Sequence, residues 1–133
     1  MPECIPYYEP DQPLTGQATA AVVGKTFADI SADIESGPLL STSAGGGNVK
    51  VATCAAGVRG VGVFAYDGPN IGDKVPLFGP GTVCPITAGA AITFGQEVEV
   101  GAAGKVIPLA AGKAVGKALT GAAANADAMI RLY

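Results

Sequence analysis

The chain has 133 residues with no histidine, three cysteines and eleven Asp or Glu. Without His, the commonest general base is missing, and Ser-His or Cys-His nucleophile pairs are excluded. Cys4, Cys54 and Cys84 stand far apart with no CxxC pair. They cannot build a familiar zinc site or a complete disulfide framework, and they read as small buried thiols made in a reducing compartment. Carboxylates remain. Asp67, Asp73, Glu97, Glu99 and Asp127 are the residue types that a glycosidase pair or a calcium cage would use. Glu97 and Glu99, however, alternate with Val98 and Val100 and read as the wet face of a strand, kept acidic for solubility. Asp73 and Asp127 each follow a turn and are expected to accept from local backbone N–H groups. The Gly-rich stretches AGGGN and VRGVGV lack both the Gly-Lys-Ser/Thr ending of a phosphate loop and the three-glycine dinucleotide spacing. The chemistry therefore points away from an enzyme, with no catalytic residue, metal or cofactor expected.

The elements that carry these side chains are strands. Through residues 61–99, Pro69, Pro76, Pro80 and Pro85 each remove a backbone donor, and Gly recurs between them, so no long helix can form. Ile92, Phe94, Val98 and Val100 are expected to share a buried face. Strands are expected over residues 81–86, 91–100, 105–109 and 128–132, with GAAG as the turn at 101–104. Residues 110–126 are Ala-rich, yet Gly112, Gly116 and Gly121 favour strand and turn over helix. Upstream, residues 19–35 admit either a helical stripe (Phe27, Ile30, Ile34) or a strand ending near Ser31, and the strand is preferred. The fold class is all-β: a small antiparallel β-barrel or β-sandwich with an extended N-terminal arm.

Composition agrees with a single thin-cored domain. Aromatics are 6% and Trp is absent, while 20 Gly and 10 Pro are spread along the chain. Val, Ile, Leu and Ala must fill the core, and such a chain gains by burying surface against copies of itself. The N-terminal 16 residues carry Pro2, Pro6, Pro10 and Pro13 with Tyr7 and Tyr8 between them. Proline at that density favours extended backbone, an arm rather than a core element. Tyr7, Tyr8, Pro10 and Pro13 are its expected contacts with a neighbouring molecule. The body then runs over residues 17–133, with a flexible Gly/Ser connection at 36–48.

Net charge is −3, unevenly spread: residues 1–45 hold six acids and one base, residues 46–133 seven bases and five acids. No basic run suits nucleic acid. The longest uncharged window, residues 75–96, holds prolines and glycines that would leave backbone groups unpaired in lipid, so no membrane span is expected. The N-terminus lacks the basic and apolar regions of an export signal, which points to synthesis in the cytoplasm. The body also repeats itself: Val61-Gly62 precedes Asp73-Lys74-Val75 by the interval that separates Val115-Gly116 from Asp127-Ala128-Met129.

The succession VRGVGV, Ala65-Tyr66-Asp67, Gly72-Asp73-Lys74-Val75-Pro76-Leu77, GTVCPITAGAAI, Gly95-Gln96-Glu97-Val98-Glu99-Val100, Gly104-Lys105-Val106, Val115-Gly116-Lys117-Ala118-Leu119 and Ala128-Met129-Ile130-Arg131-Leu132 resembles the small capsid decoration, or cement, proteins of tailed bacteriophages. That resemblance implies a compact β-body on the outer surface of an icosahedral head, bound to the major capsid protein. It also implies homotrimers at threefold or quasi-threefold positions, an arm that reaches over the shell, and stabilisation of the expanded capsid. It carries no catalytic or metal residue. The alternative reading is a surface-displayed adhesion or carbohydrate-binding β-domain, which would need exposed aromatic platforms from Phe64, Tyr66, Phe78, Phe94 and Tyr133.

Overall fold

A computed structural model describes residues 14–33 and 49–133. Among them the strands are β1 (Leu14–Ala18), β2 (Phe27–Ala32), β3 (Val49–Thr53), β4 (Gly62–Phe64), β5 (Lys74–Phe78), β6 (Val83–Thr87), β7 (Glu97–Val100), β8 (Val106–Pro108), β9 (Gly116–Ala118) and β10 (Asp127–Leu132). The only helical piece among these residues is one 3₁₀ turn, Ala102–Gly104. The first five strands close a barrel in the order β1-β3-β2-β4-β5, and the other five form a sheet in the order β6-β10-β9-β7-β8. Most pairs are antiparallel; the barrel closes through the parallel pair β1–β3.

The two halves are the same fold twice. Each strand of the first half has a counterpart with the same neighbours in the second: β1 with β6, β2 with β7, β3 with β8, β4 with β9, β5 with β10. Where β1 and β3 close the first barrel, a single parallel bridge, Ala88 to Val106, joins the edges of the second sheet. Loop hydrogen bonds repeat as well. Lys25 N–H donates to Phe64 C=O and Gly95 N–H to Ala118 C=O, at 2.9 and 2.7 Å. Lys25 and Gly95 both sit at positive φ, 64° and 83°, so the same tight turn opens β2 and β7. The inner residues correspond one to one. Ala18, Val22, Ala28, Val51, Phe64, Val75 and Leu77 fill the first barrel. Ala88, Ile92, Val98, Val106, Ala118, Ala128 and Ile130 hold the matching places in the second. Large and small side chains are exchanged between the copies, as with Phe64 for Ala118 and Ala28 for Val98, which keeps each interior filled with different residues.

The repeat seen in the sequence is thus structural, with one adjustment. Ala18 N–H reaches Asp73 C=O, and Ala88 N–H reaches Ala126 C=O. The counterpart of Asp73 is therefore Ala126, not Asp127, because the second loop is one residue shorter. β1 begins at Leu14, so residues 14–16 of the arm segment are ladder residues. Residues 36–48 lie outside the described residues.

Strand alternation fails at two places. Phe94 is 73% exposed, since the turn through Gly95 intervenes between the Ile92 bridge and β7 and breaks the period of two; residues 91–96 are loop. Glu99 was expected on the wet face with Glu97, yet it is 7% exposed. Its outward position is roofed by the loop after β8: Glu99 Oε2 accepts from Ala110 N–H at 2.7 Å and Gly112 N–H at 2.8 Å. A Cβ on Gly112 would lie 2.8 Å from Gly57 Cα, so glycine lets this loop press against the first barrel.

Candidate functional site

What the fold assembles is a seam between two barrels. On the outer face of the first barrel, Phe27 pairs with Val63 and Val63 with Phe78 across β2, β4 and β5. The equivalent row on the second barrel is Glu97, Lys117 and Arg131, paired in the same way across β7, β9 and β10. The first row is buried and belongs to one core cluster with Cys84, Val100, Val115 and Leu132 of the second barrel. The second row is exposed. The second barrel thus seats on the apolar side of the first, whereas its own matching side is charged and exposed.

Backbone contacts lock the seam. Thr87 N–H donates to Lys25 C=O at 3.0 Å, and Gly57 N–H to Val100 C=O at 2.8 Å. Gly104, at φ +72°, lies so close that a Cβ would stand 3.0 Å from Phe27 O. Lys25 Nζ and Asp127 Oδ2 form an ion pair at 2.6 Å across it. Asp127 therefore does not bond local backbone as its turn position suggested; its other oxygen accepts from Thr87 Oγ1 at 3.0 Å. Cys54 lies in the same core, and burial, with the nearby Asp29 carboxylate, pushes its thiol up to about 11. A thiol so placed is inert near neutral pH. Cys54 and Cys84 are both buried and unbridged.

Asp67, Asp73 and Glu97 accept hydrogen bonds within the body. Asp67 Oδ1 accepts from Gly24 N–H at 2.8 Å, and Asp73 Oδ2 from Asn70 N–H at 2.9 Å, the turn bond its position suggested. Glu97 Oε2 accepts from the Tyr133 hydroxyl at 2.8 Å, an interaction that raises the tyrosine's pKa. Among the described residues no three His, Cys, Asp or Glu come together as a metal site. None of their helices is long and apolar enough to cross a membrane.

At one end the seam opens into a cleft of about 90 Å³. Phe27, Phe78 and Tyr133 form its aromatic wall, Val115 and Leu132 its floor, and Arg59, Gly79 and Pro80 part of its rim. Sequence reading missed this place, because its residues come from five separated stretches that only the barrel-on-barrel packing unites. The contact residues expected from the sequence, Tyr7, Tyr8, Pro10 and Pro13, lie outside the described residues. Of the aromatics considered for sugar stacking, Phe64 and Phe78 are buried, Tyr66 is half-buried, and Phe94 and Tyr133 are exposed.

No protein-family model and no curated protein matches the sequence. Among solved structures the fold is similar to "The crystal structure of head fiber gp8.5 N base in bacteriophage phi29", with a TM-score of 0.68. Identity is 16%, and the likeness covers 90% of this chain and 92% of that one. At that identity it is the fold that is shared.

Proposed function

We propose that this chain is a structural protein of a tailed-phage head, a non-enzymatic decoration module that attaches to the outer face of the assembled shell. The observation that carries the reading is the match of the whole tandem-barrel fold to the base of a phage head fiber. The sequence resemblance to capsid decoration proteins supports it independently. In this reading the major capsid protein is the partner, three copies associate at threefold or quasi-threefold positions, and Tyr7, Tyr8, Pro10 and Pro13 contact the shell or a neighbouring copy. Binding only the expanded lattice stabilises it by mass action, and attachment through a trimer multiplies a weak single contact. The acidic N-terminal stretch against a net basic body makes assembly weaken as salt rises.

The test is cosedimentation of purified protein with expanded heads that lack it, followed by heating of the decorated heads. Saturable binding at micromolar concentration and a raised melting temperature are expected. Heads left undecorated at that concentration would remove the proposal.

A further inference from the structure

Duplication gives each barrel the same two surfaces, an end and a side, and the seam joins the end of the second barrel to the side of the first. The end of the first barrel and the side of the second are left over. Register names their residues. Cys84 and Val100, at the second barrel's end, pair with Ile130 and Val106, as Leu14 and Ile30 pair with Leu77 and Val51 in the first. On the side, Ala65 N–H donates to Pro76 C=O as Leu119 N–H donates to Met129 C=O. Cys84, Val100 and Ala65 are buried in the core that spans the seam, whereas their counterparts Leu14, Ile30 and Leu119 are 47%, 50% and 47% exposed. Charge divides the same way. Beside Leu119, the exposed Lys117 and Arg131 stand opposite one another across β9 and β10, a like-charge pair that repels. Asp29 and Asp33 flank Ile30. Among the described residues none of these four charged groups forms an ion pair.

We propose that copies of this chain bind head to tail: the first barrel's end of one copy, with Leu14, Ile30, Asp29 and Asp33, docks on the second barrel's side of the next, with Leu119, Lys117 and Arg131. The contact repeats the seam between molecules, with ion pairs where the seam has the row of Phe27, Val63 and Phe78. Because two different surfaces meet, each bound pair keeps one of each free, and closure after three copies gives the ring that the head-attachment reading uses. The proposal rests on that reading for the number of copies alone. Its test needs no head, so the contact and the attachment can each fail without the other.

The test uses the full chain with photoreactive benzoylphenylalanine in place of the exposed Leu119, which keeps that position apolar. Isotopically labelled and unlabelled copies are mixed at concentrations up to the solubility limit, illuminated, and the products read by mass spectrometry. Crosslinks between labelled and unlabelled copies, to peptides holding residues 14–17 or 29–33, are expected. Lys117→Glu with Arg131→Glu, both at exposed positions, should lower their yield about fivefold, as loss of exposed ion pairs at an interface does. Asp29→Lys with Asp33→Lys in that background should restore it. Crosslinks only within one chain, crosslinks between copies at other places, no crosslink at any concentration, or a yield indifferent to the charge exchange would each overturn the proposal.

Discussion

Glu99 is the residue whose environment departs most from its local sequence. Its carboxylate caps two backbone N–H groups of a loop that no strand ladder holds. Glu99→Ala leaves both donors unpaired, and the expected cost is about 2–3 kcal/mol in urea unfolding, against a few tenths for the exposed Glu97→Ala. Cys54 allows a sharper test at the same scale. With its pKa near 11, only about one molecule in a thousand carries the thiolate at pH 8, so iodoacetamide should leave Cys54 unmodified in the native protein and modify it in urea, as read by peptide mapping. The same shift sets a direction with pH. The folded thiol holds its proton more tightly than the unfolded one, whose value is 9.0, so its contribution is intact below pH 9 and declines as pH rises towards 11. Cys54→Ser should flatten that decline in a stability-against-pH series.

Among the elements, strand positions were legible where turn chemistry brackets them. The prolines and glycines of residues 61–99 exclude helix, and β6, β8 and β10 lie close to where the sequence placed them. The two failures differ in cause: Phe94 falls outside the strand because the Gly95 turn breaks the period, whereas Glu99 shows that alternation reports which side of a strand a residue occupies, not what covers that side. Glu99 and Phe27 face outward from their barrels, and each is buried because a loop or a barrel lies over it. The cleft was illegible for the same reason, since Arg59, Phe78 and Tyr133 meet only after the halves dock. Gly60 shows how tightly the connection between β3 and β4 is held: φ is +69°, and a Cβ would stand 2.6 Å from Ala28 O. Gly60→Ala combines an unfavourable φ with a backbone clash, and a loss of about 2 kcal/mol or more is expected from chemical unfolding. The Lys25–Asp127 bridge is partly exposed, so Asp127→Asn should cost no more than about 1 kcal/mol in the same assay, less at high salt.

As a whole the molecule is a duplicated barrel welded by a shared core. Phe27, Val63 and Phe78 are the side of one barrel, and they are buried only because the other sits on them. The full chain is therefore expected to unfold in one transition, with coincident circular dichroism and tyrosine fluorescence curves. The first half expressed alone would expose that apolar row and should aggregate. The two-barrel fold, with its charged outer row, is similar to that of the base of a phage head fiber. The proposed attachment to a head is tested most directly by cryo-electron reconstruction of phage particles made with and without the gene for this chain. The expected result is two-barrel density on the outer shell at threefold or quasi-threefold positions, absent from particles made without the gene. Bare shells, with the chain located elsewhere or missing from the particle, would contradict it.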